Sequence, residues 1–266
     1  MYSAVPDFDA RRQIRLLKLN RKIPFLDVSG ELVSCTLKEV PQYHAISYVW
    51  NYGSQEIRTM KLNEMTLEVN ANVYDIITRC SSFFREHYIW IDTVCIDQKS
   101  TSEKTLQVRT MQEIYGSAVH VLVCLGTGPA SLALTLMEEL RLVRVMLGNA
   151  AVPAYLAICF ERRKLDFYLD ARIKALQALL QHPWFRRVWV VQEVVVPRKV
   201  TFFYGQRVLS WEKFYEKLDP ISGPFVSLFA GLAPGDNFLE AGSPYSGFLS
   251  MGFIGKYRKE YLIFRP

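Results

Sequence analysis

The sequence has no apolar run long enough to cross a bilayer. Its longest uncharged stretches, 145–160 and 220–235, are 16 residues each and both contain proline, short of the ~18–20 residues a membrane helix needs. No membrane span is expected. Cysteine pairs are also missing: Cys35, Cys80, Cys95, Cys124 and Cys159 are odd in number, and none lies two or three residues from another. That spacing argues against zinc ribbons, redox CxxC motifs and a disulfide framework. The histidines are few (His44, His87, His120, His182) and show neither H-x-x-x-H nor H-E-x-x-H spacing, so no metal is expected. GxGxxG, GxxxxGK(S/T) and GxSxG are absent, which removes the common nucleotide and nucleophile-elbow signatures. Asp7, Asp9, Arg11, Arg12 and Arg15 precede any apolar run, unlike a secretory leader. With dispersed thiols, this points to a reducing, cytoplasmic compartment.

What is present suits a folded chain. Half of the 266 residues are hydrophobic and 22% are charged, enough apolar content to fill a core and too much for disorder. The net charge of +6 is mild. Its short basic clusters, Arg162-Arg163-Lys164 and Arg186-Arg187, lack interleaved aromatics and read as solvated faces, so no nucleic-acid partner is expected.

The periodicity predicts a strand over 13–20, a buried strand over 43–50 and a hairpin over 57–69 turning at Asn63-Glu64. Asn72 caps a helix whose apolar side is Val73, Ile76, Ile77, Cys80, Phe83 and Phe84. A short strand, 88–92, ends at Asp92. Ser100-x-x-Glu103 has capping-box form and starts a helix. A strand over 119–125 stops at Gly126-Thr127-Gly128, a turn that fits either a phosphate approach or a plain strand-to-helix loop. Helices follow over 130–147 and 171–181, and another runs from Pro183 through Val194. A strand over 199–204 and a helix near 211–218 complete the pattern, while 148–170 is ambiguous. The alternation implies an α/β fold, an open and largely parallel sheet flanked by helices with an inserted β-hairpin. The periodicity ends near Pro220, which suggests one domain over 1–218 and a Gly/Pro-rich tail, 219–266.

Two segments can carry chemistry. Asp92, Thr93, Asp97 and Gln98 cluster at the carboxyl end of a strand, where ligands of open α/β sheets bind; loop shaping is the competing reading. Helical spacing would put Trp189 and Glu193 on one face with Gln192 adjoining. An indole beside a carboxylate can stack on a heterocycle while the acid engages a sugar hydroxyl or a developing cation. A core tryptophan, with the glutamate paired to Arg186, Arg187 or Arg109, is the competing reading. Cys95 has no neighbouring histidine and reads as a buried thiol.

The same residues resemble a known family. Tyr43-His44-Ala45-Ile46-Ser47-Tyr48-Val49-Trp50, then Leu62-Asn63, Val69 and Asn72-Val73-Tyr74 open the pattern. Trp90-Ile91-Asp92 with Cys95-Ile96-Asp97-Gln98, Glu103-Lys104, Gln107-Val108, Met111, Ile114-Tyr115 and Ala118 continue it. Trp184-Phe185, Arg187, Trp189-Val190, Gln192-Glu193, Gly205 and Trp211 close it. This order is similar to the heterokaryon-incompatibility (HET) domain of filamentous fungi, over roughly residues 13–215 with a motif core of 43–211. Asn51 and Asp97 depart from the family's usual Gly and Asn.

The resemblance implies a role in non-self recognition and programmed cell death, through self-association and other incompatibility proteins. It also implies a distant likeness to TIR domains, which are flavodoxin-like, and many of which cleave NAD at the nicotinamide–ribose bond. On that likeness the W-x-x-x-E spacing makes Glu193 the catalytic carboxylate. Trp50, Asp92, Asp97, Gln98, Trp189 and Gln192 then bind substrate, with NAD as substrate and no cofactor. A non-enzymatic self-associating module and a member adapted to small-molecule biosynthesis are the alternatives.

Overall fold

The structure, a computed structural model, describes residues 2, 8–20, 28–50, 52–62, 65–83, 87–218, 254–255 and 257–262. Asn51, the Asn63-Glu64 turn, Phe84 and most of the expected tail lie outside the described residues. The chain divides into two compact units, Met1–Cys124 with Val196–Val200, and Leu125–Val195 with Thr201–Pro266.

The first unit is an α/β sheet built from β1 (Gln13–Leu19), β2 (Ser29–Thr36), β3 (Tyr43–Tyr48), β4 (Ile57–Leu62), β5 (Met65–Asn70), β6 (His87–Trp90) and β7 (His120–Cys124), with helices α1 (Ala71–Phe83), α2 (Asp92–Cys95) and α3 (Thr101–Ser117). The strands lie in the order β5-β4-β2-β1-β6-β3-β7. β3 is parallel to both neighbours, with His44 opposite His120 and Tyr43 opposite Tyr88. Parallel neighbours need a crossover, supplied here by the hairpin with α1 and by α2 with α3. β1 runs antiparallel to β2 and β6. β4 and β5 form the expected hairpin, Leu62 opposite Met65. Val121 N donates to Lys199 O at 2.9 Å, joining the returning segment to β7.

Helix starts follow local chemistry, with one correction. α1 begins at Ala71, and Asn70 Oδ1 accepts from Asn72 N at 2.9 Å. The last strand residue, still extended, therefore provides the cap, and Asn72 sits inside the first turn. Ser100 caps α3 as expected, its Oγ accepting from Glu103 N at 3.2 Å. Glu103, however, does not close the box. Its carboxylate takes a bidentate bond from buried Arg15 (2.5 and 3.2 Å) and a third from Asp97 N (2.8 Å). Between sheet and α3, the Trp90 and Tyr115 rings meet edge to face at 5.5 Å.

The second unit holds α4 (Ala130–Leu147), α5 (Ala151–Arg162), α6 (Phe167–Leu180), a 3-10 turn at Pro183–Arg186, α7 (Val190–Val195), the hairpin β8 (Val200–Tyr204) and β9 (Arg207–Ser210), and α8 (Trp211–Leu218). The ambiguous stretch 148–170 thus contains α5, whose Pro153 falls in the first turn, where its missing N–H costs nothing. Residues 254–255 and 257–262 are helical, and Arg258 among them is buried against Val194 O. α4 packs on α5, α6 and α8. An aromatic cluster fills the rest: Phe202 stacks on Phe214 at 4.3 Å and meets Trp184 edge-on at 5.4 Å.

The glycine turn is structural. A Cβ on Gly128 would lie 2.4 Å from the Tyr204 ring, and Gly205, at φ +50°, donates to Gly126 O at 2.9 Å. The tyrosine fills the space a phosphate would need, which favours the loop reading.

Two predictions follow from these interiors. Glu103→Ala leaves the Arg15 guanidinium, 3% exposed, without its carboxylate. The expected loss is about 3–5 kcal/mol, read from urea unfolding; a loss under ~1 kcal/mol would mean the pair does not hold the fold. The second concerns acid. Burial first, then His87 and His120, lower His44 to about 4; burial lowers His182 to about 4. His182 Nδ1 accepts from Trp184 N at 3.2 Å, a bond that protonation removes. Both histidines are neutral when folded and protonate near 6.5 when unfolded. The unfolded state therefore binds more protons as pH falls from about 6.5 to about 4, and stability drops across that window. Glu138, held down to about 2 by Arg141 and Lys217, loses its contribution only below 4.5. His182→Asn, which keeps an acceptor toward Trp184, is expected to flatten the decline between pH ~6.5 and ~5; an unchanged urea-midpoint profile would refute the assignment.

Candidate functional site

The first unit holds four of the expected site residues and joins three of them at Asp92, Trp50 through its carboxylate and Gln98 through its backbone carbonyl. Trp50 follows β3 and Asp92 follows β6. The two strands are parallel neighbours, so both residues arrive at the same carboxyl edge. Trp50 Nε1 donates to Asp92 Oδ2 at 2.9 Å, and the ring stays 44% exposed. Asp92 Oδ1 accepts from Thr93 N at 2.7 Å, and Gln98 Nε2 donates to Asp92 O at 2.9 Å. Tyr48 and Thr93 share a hydroxyl hydrogen bond. The result is a fixed, solvent-facing indole with an acid at its edge, able to stack on a planar ring and accept from a hydroxyl.

Asp97 is committed elsewhere. Its carboxylate accepts from Lys99 N at 3.0 Å and its N–H goes to Glu103. This is an Asx turn that shapes the loop. Cys95 is buried between Ile91 N and Ile89 O, and burial pushes its thiol up to about 12. At neutral pH it is protonated and closed to solvent, which fits a structural thiol. All five cysteines are free thiols.

The second unit carries Trp189, Gln192 and Glu193, and here the expected geometry needs correction. One helix from Pro183 to Val194 does not form. Pro183 sets a 3-10 turn that ends at Arg187, whose ψ of 133° is extended. The helix restarts at Val190, with Glu193 N donating to Trp189 O at 3.1 Å. Trp189 is therefore at the helix mouth and 38% exposed, while Glu193 is 0% exposed. Glu193 Oε1 and Oε2 accept from Arg187 Nη2 and Nη1 at 2.9 and 3.4 Å. Gln192 is half-buried, and its Oε1 has no hydrogen-bond partner.

Sequence reasoning placed the correct arginine among three candidates for Glu193. It missed the Trp50–Asp92 bond, although adjacent parallel strands ending at those residues were the signal. It also missed Tyr48, whose partner Thr93 is 45 residues away. Among the described residues no group of three or more His, Cys, Asp or Glu could hold a metal ion, and no helix is long and apolar enough to cross a membrane.

Arg187→Ala strips the guanidinium from a carboxylate with no exposure, whereas Glu193→Ala leaves an arginine 21% exposed that can turn to water. The first is expected to cost about 3–5 kcal/mol and the second clearly less. Urea unfolding of both variants checks this; equal small losses would show that the pair is not held.

Comparison with known proteins adds the lineage. The family described as "Heterokaryon incompatibility protein (HET)" matches residues 43–193, a span that contains all seven expected site residues. "Heterokaryon incompatibility protein 6, OR allele" of Neurospora crassa is 26% identical over 245 residues, covering 79% of this chain and 35% of that protein. The chain thus spans about a third of the length of this curated relative. No solved structure matches.

Proposed function

The chain belongs to the heterokaryon incompatibility family, and from that premise we propose that it acts in fungal non-self recognition leading to programmed cell death, as a self-associating cytoplasmic signalling module without NAD glycohydrolase activity of its own. The observation that carries this is the state of Glu193. Cleaving an N-glycosidic bond requires a carboxylate that can approach the anomeric centre as positive charge develops there. Glu193 has no exposed surface, and both its oxygens are held by Arg187. Such a group serves packing better than chemistry. The free state of all five thiols supports a reducing compartment. Self-association and other incompatibility proteins as partners belong to this same proposal.

The enzymatic reading keeps one observation in its favour. The exposed Trp50 with half-buried Asp92 and Gln98 forms a polar and aromatic edge suited to a nucleoside.

The deciding experiment incubates the purified chain with NAD at concentrations where light scattering reports association, and measures nicotinamide. No release is expected from the wild type or from Glu193→Gln. Release by the wild type that vanishes in a folded Glu193→Gln variant would establish the hydrolase and overturn the proposal. A chain that stays monomeric at every concentration would remove self-association.

A further inference from the structure

The turn between α5 and α6 in the second unit leaves large apolar side chains in water. Leu165 is 94% exposed, Phe167 89% and Tyr168 57%. Scattered exposed apolar residues are ordinary, but here they fall within four consecutive positions. They are also held in place. Leu165 N and Asp166 N both donate to Arg162 O, at 2.9 and 3.1 Å. Asp166 Oδ1 caps α6 by accepting from Tyr168 N and Leu169 N at 3.0 Å each. The turn is a pre-formed apolar tip.

Its rim is cationic. Arg162, Arg163 and Lys164 precede the tip directly. The two acids among residues 161–168 oppose the exposed Arg162 and Lys164 weakly: Glu161 reaches Lys164 only at 3.9 Å, and Asp166 is turned onto backbone N–H groups. On the next turn Asp170 is paired with Lys174 at 2.7 Å.

We propose that this tip docks on an anionic lipid surface, with Leu165 and Phe167 entering the acyl boundary and the exposed Arg162 and Lys164 meeting acidic headgroups. The charge decides between occupants. A second copy of the chain, packed tip to tip, would set the two basic clusters against each other. An anionic bilayer complements them and receives apolar side chains without needing a shaped pocket. Docking would also concentrate signalling modules in a plane and favour their association.

The test is flotation of the full chain with phosphatidylcholine vesicles, with and without phosphatidylserine, at low and high salt. Binding is expected only with phosphatidylserine, and salt is expected to weaken it. Leu165→Ser with Phe167→Ser is expected to reduce partitioning about tenfold or more, the scale of removing buried apolar side chains. Arg162→Gln with Lys164→Gln is expected to abolish the phosphatidylserine preference. These positions are on the surface, and circular dichroism confirms that each variant is folded. A folded wild type that ignores phosphatidylserine vesicles overturns the proposal. So does a serine variant that binds like the wild type. If the serine variant instead loses self-association in the absence of lipid, the tip joins copies of the chain and the lipid assignment fails.

Discussion

A buried arginine at the third position of a strand decides much of the first unit. Arg15 is 3% exposed on β1 and must be matched where water cannot reach it. Glu103 supplies both oxygens, and the same carboxylate holds Asp97 N. Arg15 also donates to Cys95 O at 3.4 Å. The Phe8 ring covers the guanidinium at 3.6 Å, and Tyr2, whose hydroxyl donates to Val94 O and Ile96 O, lies over it at 4.8 Å. One ion pair thus fixes β1, the start of α3 and the loop between β6 and α3. Asp92 and Gln98 sit on that loop. Their geometry is inherited from a charge they never touch.

That dependence explains which features the amino-acid sequence discloses. Where burial is one-sided, periodicity is a faithful guide. Val73, Ile76, Ile77 and Cys80 line α1 as their spacing requires, and α4 and α8 occupy 130–147 and 211–218 as expected. Residues that answer to distant partners are silent. Glu103 has the form of a capping-box acid but serves an arginine 88 residues away. β2 and β9 carry weaker alternation because β2 buries a single residue and β9 none. The short α2 hides in what looks like the end of a strand, because its four residues form a single turn. The open α/β sheet was legible, but apart from the β4–β5 hairpin its antiparallel pairings were not. Parallel order follows from helical crossovers that leave a pattern, and antiparallel pairing of β1 with β6 leaves none.

The same contrast applies to the candidate site. The reading of Asp92 and Gln98 rested on sheet topology, a property of whole strands, that of Trp50 on its place in the family motif, and the structure gathers these residues at one edge. The pairing of Trp189 with Glu193 rested on helical spacing, a property of local backbone, and Pro183 altered the backbone. A proline at the start of a 3-10 turn, followed by an extended Arg187, shifts the helix start to Val190. Trp189 is left at the mouth and Glu193 is drawn inward onto the arginine. W-x-x-x-E is thus a distance along the chain and not a geometry. Whether it becomes a reactive acid or a structural ion pair depends on where the helix begins.

This is also why family membership alone cannot assign a reaction. The segment matched by the family spans both clusters, yet the two differ in the property that catalysis requires. The indole edge at Trp50 faces solvent with a carboxylate beside it, and the carboxylate at Glu193 has no surface at all. A group that must meet a cationic transition state cannot have both oxygens engaged by an arginine while it does so. Either the arginine leaves or the carboxylate is structural. The first would expose a buried acid at a cost of several kcal/mol, which only a large compensating interaction, such as assembly, could supply. In the structure the arginine stays: Glu193 is fully buried on Arg187, while the indole edge at Trp50 faces water.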